Sequence, residues 1–421
     1  MAPTDACFCP SADLERLRLV VPAQSAFEVD GTLFVPLDRL PGVSYRVDLA
    51  ALTLSMDIPP GLFASKSLDP LRASVFHEPD PGRGAYLDYD VQIQDSSGTT
   101  SLNGFAGLSA FHDWAVGVAT FTGVDSGGGD SYLARLDTAV FADRPDRMQT
   151  WRIGDSYTRA GAWGRPVRFA GAQWQTKFST QPGFVTTPTL RLDGETALPS
   201  TLEVYADNML RFSSEIPPGP FEIPDLPLLV GGGEIRMVVR DVLGRETIVQ
   251  QPYYSASGLL RPGLDNFSIE AGVIRRGYGS DDDRYAGSIA AATWRRGITE
   301  HLTLEGRAEA NDDGGAAGAA VTASLGTIGS IDAFAAASAT ETEGHTLGLS
   351  LRRQRRGFTI GCEGRTTSRG FFAAGFDDRS RFERDRLSAL ATMTLGRSSL
   401  SASYVTQTFY KDAEDLSFAS L

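Results

Sequence analysis

Residues 87–94 read Leu-Asp-Tyr-Asp-Val-Gln-Ile-Gln, a stretch in which apolar and polar residues alternate strictly. Successive side chains of a β-strand point to opposite faces of its sheet. A period of two therefore predicts a strand with one face in an apolar environment and the other in water.

The same alternation recurs along the rest of the chain. Segments of about ten residues match the length that crosses a bilayer at a tilt, and closing them into a barrel leaves no unpaired edge in lipid. A soluble β-sandwich also alternates, so one strand alone does not decide the class, but the whole set predicts a transmembrane β-barrel. The clearest further examples are Leu302, Leu304 and Ala308, then Leu347, Leu349 and Leu351, and finally Leu400, Ala402 and Tyr404.

Composition limits the class of protein further. The chain has 421 residues, of which 42% are hydrophobic, and a net charge of -13. No apolar run reaches the ~18 residues of a transmembrane helix. The negative charge argues against nucleic-acid binding, which needs clustered Lys and Arg. One dense basic run, Arg352, Arg353, Arg355 and Arg356, is interpreted as a solvated turn in preference to an anion site.

No catalytic, metal or cofactor site is predicted. Cys7, Cys9 and Cys362 form neither a zinc-ligand pattern nor a disulfide framework. Gly154-Asp155-Ser156 matches the start of a hydrolase nucleophile motif, but no histidine lies in an Asp-x-x-His sequence. The run Asp281-Asp282-Asp283 lacks the Gly and Glu of a calcium loop, so a solvated loop is favoured. The protein is therefore expected not to be an enzyme.

The chain is predicted to contain a β-barrel interrupted by a folded insert. The insert is expected to be a compact β-sandwich, with about six barrel strands before it and about nine after it. The first ten residues lack the basic and apolar regions of an export signal, so we expect the chain to start within a longer protein. The predicted parts are a partial α+β N-terminal domain at 1–60, a linker at 61–84, barrel strands at 85–186, the insert at 187–255 and further strands at 256–421.

The predicted loops are segregated by charge. An even number of strands before the insert would return the chain to the side from which it entered. Tryptophans 114, 151, 174 and 294 lie near predicted strand ends, as in the aromatic girdles of membrane barrels. The outer loops are predicted to be acidic, at Asp281-Asp282-Asp283, Asn311-Asp312-Asp313, Glu341-Thr342-Glu343 and Asp377-Asp378, and the inner turns basic, at Arg295-Arg296-Gly297, 353–357 and Gly396-Arg397.

Several motifs resemble the fimbrial outer-membrane ushers of the chaperone/usher pathway. One is residues 151–157, Trp-Arg-Ile-Gly-Asp-Ser-Tyr, which is followed by Phe169-Ala170-Gly171. Ushers have a plug domain inserted in the barrel, and the plug motif here is Pro218, Gly219, Pro220 and Phe221, continuing to Asp225 and Leu226. Gly231-Gly232-Gly233 and a turn with Asp241, Gly244 and Arg245 follow in the family's order. The similarity covers nearly the whole chain.

The resemblance implies a plugged outer-membrane pore of a Gram-negative bacterium that secretes and assembles pilus subunits. In ushers a periplasmic N-terminal domain recruits subunits bound to a periplasmic chaperone, and donor-strand exchange supplies the energy without nucleotide hydrolysis. The implied partners are chaperone–pilin complexes and outer-membrane lipid. The resemblance also implies truncation at both ends, with about 15 of the family's roughly 24 barrel strands present.

Two alternatives to a functional usher stay open at this point. The chain could be an inactive usher fragment or half of a split usher, or it could be a passive porin-like barrel, which would need no folded insert.

A gating plug should be held by polar contacts that can release. Arg152, Asp155 and Arg168, just before the insert, are the predicted plug latch.

Overall fold

The computed structural model describes residues 7–21, 25–70, 82–96, 98–129, 131–280, 282–374, 383–410 and 414–421. Part of the predicted linker, residues 71–81, and the predicted loop residues Asp281, Asp377 and Asp378 lie outside this description. No described helix is both long enough and apolar enough to cross a membrane. The chain divides into two compact units, one formed by 1–73, 189–229 and 233–253 and the other by 74–188, 230–232 and 254–421.

The amino-terminal part of the first unit is a small α+β fold. The sheet order β1-β3-β2 puts the central strand over a core that contains Val35, Leu14 and Leu37. Its elements are β1 (Phe8–Pro10), α1 (Ser11–Arg16), β2 (Phe27–Val29), β3 (Thr32–Pro36), β4 (Ser44–Asp48) and β5 (Thr53–Asp57), with 3-10 turns at Leu37–Arg39 and Pro60–Leu62, and then β6 (Lys66–Ser67).

The second unit is built around one large antiparallel sheet. Before the insert each strand pairs with the next along the chain. The strands are β7 (Gly84–Ser96), β8 (Thr99–His112), β9 (Ala115–Asp125), β10 (Ser131–Arg144), β11 (Gln149–Tyr157) and β12 (Arg168–Thr176), with a 3-10 turn at Pro145–Arg147.

The insert, which belongs mainly to the first unit, is a β-domain with its own core. In it β16 pairs with β13, while β14 pairs with both β15 and β17. Leu202, Val204, Phe221, Ile223 and Ile235 are buried between these strands. The strands are β13 (Thr189–Thr196), β14 (Ser200–Ala206), β15 (Met209–Ile216), β16 (Gly219–Pro227), β17 (Gly231–Asp241) and β18 (Glu246–Ser255), preceded by a 3-10 turn at Phe178–Thr180.

Part of the predicted linker belongs to the sheet of this inserted domain. β6 pairs in parallel with β16, with Phe221 opposite Lys66 and Glu222 opposite Ser67. The Leu68 N–H donates to the carbonyl oxygen of Glu222 at 2.8 Å, and the Leu68 side chain joins the domain's core. A strand of two residues has no periodicity that a sequence pattern could reveal.

After the insert the large sheet resumes at the strand where it stopped. β19 pairs with β12 from Phe169 opposite Ile274 to Gln175 opposite Ser268, so the wall of this barrel-type sheet is continuous across the insert. The later strands again pair with their neighbours along the chain. They are β19 (Asp265–Arg276), β20 (Arg284–Thr299), β21 (Leu302–Asn311), β22 (Gly314–Ser324), β23 (Ser330–Ala339), β24 (Glu343–Arg355), β25 (Phe358–Thr367), β26 (Glu383–Leu395), β27 (Ser398–Phe409) and β28 (Leu416–Ser420), with a 3-10 turn at Gly326–Ile328.

An aromatic row crosses one face of this sheet near the end at which the chain leaves β12 and returns in β19. The Trp151 and Trp174 rings stack with centroids 5.0 Å apart, and Phe267 meets Trp174 edge-on at 4.7 Å. Phe267 lies opposite Trp294 in the register of β19 and β20. Exposed aromatic rows at strand ends are typical of the lipid-facing surface of membrane barrels. We call this surface the aromatic face and this end of the sheet the plug-side end.

Three glycines lie side by side across β11, β12 and β19. Gly154 lies opposite Gly171, which in turn lies opposite Gly272. A Cβ on Gly171 would be 2.0 Å from the carbonyl oxygen of Ala271, and one on Gly272 would be 2.1 Å from that of Ala170. The two strands that flank the insert therefore meet with no room for a side chain at this position.

Replacing Gly171 with Ala should weaken the pairing of β12 with β19. Overpacking of this kind costs about 1–3 kcal/mol, so the midpoint of thermal unfolding in detergent, followed by circular dichroism, should fall. Gly364→Ala in β25 is the control, because a Cβ there meets nothing within 4 Å. Equal midpoints for both variants would show that the close approach at Gly171 is unimportant for stability.

Candidate functional site

The connection between β11 and β12, residues 158–167, folds back against the polar face of the large sheet. The Thr158 N–H donates to the Val167 carbonyl oxygen, and the Val167 N–H donates to Thr158 Oγ1, each at 2.9 Å. These bonds close the neck of the connection, which we call the hairpin loop. Its tip contains a turn at residues 161–164.

Two wall glutamates accept hydrogen bonds from the backbone of the hairpin loop. The Arg159 N–H donates to Glu270 Oε1 on β19 at 3.0 Å, and the Ala162 N–H donates to Glu305 Oε1 on β21 at 2.6 Å. Between them Gly161 has a φ of +62°, and a Cβ there would lie 2.7 Å from Glu305 Oε1. Because bonds to an ionised acceptor are roughly twice as strong as neutral ones, these two contacts fix the loop's position on the wall.

Arg307 on β21 is a buried cation beneath the same loop. Its guanidinium donates to the Arg159 carbonyl oxygen and, at 2.7 Å, to Thr293 Oγ1. It also forms an ion pair of 2.6 Å with Glu309, in which both side chains are buried. The other oxygen of Glu309 accepts the Ala374 N–H at 2.7 Å. The same ion pair therefore also holds part of the connection between β25 and β26. Removing one partner of such a pair leaves an uncompensated buried charge, which costs about 3–5 kcal/mol.

The Trp163 side chain anchors the tip of the hairpin loop. It is 1% exposed and packs in an apolar cluster with Phe371, Ala316 and Ala336. The Trp163 and Phe371 rings meet edge to face with centroids 6.2 Å apart. Arg365 on β25 donates to the Trp163 carbonyl oxygen at 3.1 Å. The loop is therefore held by one large apolar contact as well as by its backbone.

A cavity of about 670 Å³ lies beside the hairpin loop. It is lined by charged side chains of both signs, among them Arg159, Arg295, Glu305, Asp332 and Glu363. Arg295 and Glu305 form an ion pair of 3.2 Å at its edge. Charged groups at membrane depth face a protein interior or a water-filled path, which agrees with the position of this cavity beside a loop on the polar face of the sheet.

The predicted latch residue Asp155 lies in a dense ionic network at the strand ends away from the plug-side end. It is 1% exposed and forms ion pairs with Arg135 at 2.6 Å and with Arg275 at 3.2 Å. It also accepts the Thr138 N–H at 2.7 Å, where the register of β10 shifts by a bulge, and the Tyr285 hydroxyl at 2.6 Å. The network thus stabilises the bulge and joins β10, β11, β19 and β20.

The other two predicted latch residues adjoin this network. Arg152 Nε donates to the carbonyl oxygen of Asp155 at 2.7 Å. Arg168 pairs with Asp137 at 2.7 Å and stacks on Tyr278, its Cζ lying 3.2 Å from the ring centroid. By the alternation of β11 and β12, Asp155 and Arg168 share the aromatic face. The structure brings the three residues together, and their role as a plug latch stays a prediction.

The plug-motif residues build the core and the edge of the inserted domain. Phe221 and Leu226 are buried in its core, and Asp225 Oδ1 accepts the Thr189 hydroxyl at 2.9 Å. Gly219, between Pro218 and Pro220, has a φ of +117°, and a Cβ there would lie 2.5 Å from Phe63. The motif therefore specifies how β16 packs within the domain.

The turn after β17 is stabilised by an ion pair and by hydrogen bonds to one carboxylate. Asp241 accepts the N–H groups of Leu243 and Arg245 at 2.9 and 3.0 Å and pairs with the Arg245 guanidinium at 2.7 Å. Burial alone would raise the pKa of the Asp241 carboxyl, but these hydrogen bonds outweigh it and hold that pKa below its ordinary value. The turn thus stays closed at neutral pH.

The sequence indicated which side chains lie on the polar face of β21, but it did not indicate that the hairpin loop binds there. Glu305, Arg307 and Glu309 occupy successive polar positions of an alternating strand, and their alternating charge was the available signal. Nothing in the pattern indicated that they meet the hairpin loop, since Ala162 and Glu305 are 143 residues apart. Trp163 and Glu270 were likewise not singled out.

Comparison with known proteins identifies the family. The model of the outer membrane usher protein family matches residues 150–417, more than half of the chain. The chain is 29% identical over 301 residues to outer membrane usher protein FaeD of Escherichia coli, which covers 70% of this chain and 35% of that protein. It is 32% identical over 168 residues to outer membrane usher protein FimC of Bordetella pertussis, covering 39% and 19%. This chain therefore belongs to the outer membrane usher family.

A solved structure shares the fold. The chain matches the cryo-EM structure of the E. coli P pilus tip assembly intermediate PapC-PapD-PapK-PapG with a TM-score of 0.58 at 20% identity, covering 96% of this chain and 53% of that chain. The predicted fold class, a partial barrel with an inserted plug and an α+β amino-terminal part, is confirmed, and so is the outer-membrane location. The chain spans about a third of the length of FaeD.

Replacing Trp163 with Ala should release the tip of the hairpin loop. Removing a buried Trp costs about 3–5 kcal/mol, and here the loss falls on a loop and not on the sheet. We expect higher resting conductance in planar bilayers and faster proteolysis within residues 158–167, with little change in thermal unfolding. Trp114→Ala, at a 66% exposed side chain, is the control. Unchanged conductance for Trp163→Ala would exclude the loop as a barrier.

Replacing both Arg152 and Asp155 with Ala should also raise resting conductance. Loss of Asp155 leaves buried Arg275 and the Thr138 N–H short of a partner next to the neck of the hairpin loop. The exposed pair Asp146 and Arg147, replaced in the same way, provides the control. Wild-type conductance in the Arg152 and Asp155 variant would remove both residues from the latch.

Proposed function

We propose that this chain forms the gated part of an outer-membrane pore through which pilus subunits, delivered by a periplasmic chaperone, are secreted and assembled. Membership of the usher family supports this function. One solved relative of the same fold is a pilus assembly intermediate that contains PapD, PapK and PapG beside PapC. Donor-strand exchange between subunits would drive the process, with no nucleotide hydrolysis and no catalytic residue in this chain.

The observation that carries the proposal is the pairing of β12 with β19. The strands on either side of the inserted domain are hydrogen-bonded neighbours over seven register positions, from Phe169 opposite Ile274 to Gln175 opposite Ser268. The wall is therefore continuous past the insertion point, so a movement of the insert would leave the pairing of β12 with β19 intact. A passive porin-like barrel would need no such domain.

The hairpin loop is suited to be a second part of the gate. Its backbone is bound by Glu270 and Glu305, and its tip is anchored by Trp163. All three contacts join the loop to the wall, and none of them is a backbone hydrogen bond between two strands of the sheet. The loop can leave the wall while the barrel stays folded, which a gate requires.

An aromatic cluster on the amino-terminal sheet is suited to recruit chaperone–subunit complexes. The register of β1, β2 and β3 places Phe8, Phe27 and Phe34 on the face opposite the core residue Val35. The Phe8 and Phe27 rings meet at 5.3 Å, and those of Phe27 and Phe34 at 6.4 Å. Exposed aromatic clusters of this kind mark protein interaction sites. We assign this face to the delivered complex.

The proposal is tested by single-channel recording in planar bilayers. A chaperone–subunit complex, added on the plug side, should raise the open probability of the wild-type chain. Phe27→Asp should raise the complex concentration needed for that response by about tenfold or more, since it puts a charge between the rings of Phe8 and Phe34.

The matched control is Leu52→Asn. Leu52 is 89% exposed and lies in the turn between β4 and β5, which form a sheet separate from that of the three rings. Its φ of +51° suits asparagine. This variant should respond as the wild type does. A wild-type chain that conducts constantly and ignores the complex would instead support a passive pore, and a chain that neither conducts nor binds the complex would support an inactive fragment.

A further inference from the structure

An arginine cluster lies at the plug-side end of β24 and at the turn that follows. Arg353 and Arg355 occupy alternate positions of β24 and lie opposite Ile360 and Phe358 on β25. The next turn along the sheet contributes Arg397, and the two turns are joined by the bond from the Thr394 N–H to the Gly357 carbonyl oxygen at 2.8 Å. No Asp or Glu occurs in residues 325–331, 351–361 or 391–401, so three neighbouring strand ends have no acidic residue.

The face that carries Arg353 and Arg355 is the aromatic face of the barrel. The register leads from Trp294 through the small residues of β21, β22 and β23 to Leu347, and then by alternation along β24 to Leu351 and Arg353. The two arginines therefore lie on the same face as the aromatic row, at the plug-side end.

An exposed apolar band adjoins the arginines on this face. Its side chains are 45–54% exposed although they are large and apolar, which is expected of residues that contact acyl chains. The Arg353 guanidinium lies over the ring of its neighbour Phe358, with Cζ 5.4 Å from the ring centroid, and Phe358 is the first residue of β25, at the edge of the band. The band consists of Leu351, Ile360, Met393, Leu395 and Leu400.

We propose that Arg353 and Arg355, with Arg397, bind the phosphate of an anionic glycerophospholipid in the leaflet at the plug-side end. The acyl chains of this lipid lie along the apolar band and its headgroup reaches the guanidinium groups. A guanidinium presents a planar fork of donors that matches phosphate oxygens. The chain as a whole has a net charge of -13, so this cluster is a local reversal of sign that concentrates anions against the overall field.

The continuity with the apolar band favours lipid over an acidic protein or a merely solvated turn. A solvated turn needs no arginines on the lipid-facing side of the strand, whereas Arg353 and Arg355 are both there. A docking site for an acidic protein would place its cations beyond the strand end. Each arginine near an anionic membrane surface strengthens binding by about fivefold at moderate salt.

The test uses the full chain in nanodiscs of phosphatidylcholine with and without phosphatidylglycerol. Native mass spectrometry of the released protein counts the lipids that stay bound. The wild type should retain phosphatidylglycerol in preference to phosphatidylcholine, and the double variant Arg353→Gln with Arg355→Gln should lose that preference by about 25-fold, since the two effects multiply. High salt should reduce the preference of the wild type as well.

The control variant is Arg284→Gln with Arg384→Gln, which removes the same charge from exposed positions at the other end of the sheet. It should keep the wild-type preference. Equal retention of both lipids by the wild type, or equal loss in both double variants, would overturn the proposal. Binding of inorganic phosphate by the protein in detergent with no lipid preference in nanodiscs would also overturn it. Lipid retention does not involve pilus subunits, so this result is independent of the proposed assembly function.

Discussion

A bilayer core offers no hydrogen-bond partner to a backbone N–H or carbonyl group, and the architecture of this chain depends on that constraint. It explains why consecutive strands of the large sheet pair antiparallel in chain order, and why β12 finds β19 after a whole domain has intervened. It also explains the glycines at Gly154, Gly171 and Gly272, where the strands around the insertion point approach most closely. The barrel wall is thus specified by backbone pairing first and by side chains second.

The same requirement applies to the loop that folds against the wall. A loop buried away from bulk water must give its N–H groups to some acceptor, and the strands here supply glutamate carboxylates. Glu270 and Glu305 accept hydrogen bonds from the peptide N–H groups of Arg159 and Ala162. Such contacts depend little on the loop's own sequence. What they do require is room, which Gly161 provides, and one anchor, which Trp163 provides.

Much of the fold was predictable from the sequence because alternation is a local property. Residues 87–94 predict a strand, and that strand is part of β7. The insert was recognisable from Pro218 to Leu226, since its proline and glycine positions repeat those of the family. In contrast, β6 has two residues and no period, and it was assigned to a linker. The short strand depends on partners in β16 that lie about 150 residues away in the sequence.

The candidate site was less predictable for a physical reason. Alternation tells which face of β21 is polar, and it correctly put Glu305, Arg307 and Glu309 there. It does not tell which polar residue meets a loop and which meets water, because that depends on how a curved sheet brings β21 next to the β11–β12 connection. The predicted latch residues Arg152, Asp155 and Arg168 were chosen for charge and position, and the structure gives them ionic partners at the strand ends.

The pairing of β12 with β19 has a consequence for how such proteins change over evolutionary time. An insert placed between two strands that already pair with each other adds a domain without adding or removing a rung of the wall. The length and the surface of the inserted domain can therefore vary while the number and order of the barrel strands stay the same. Selection can then act on the inserted domain and on the barrel wall as two separate traits.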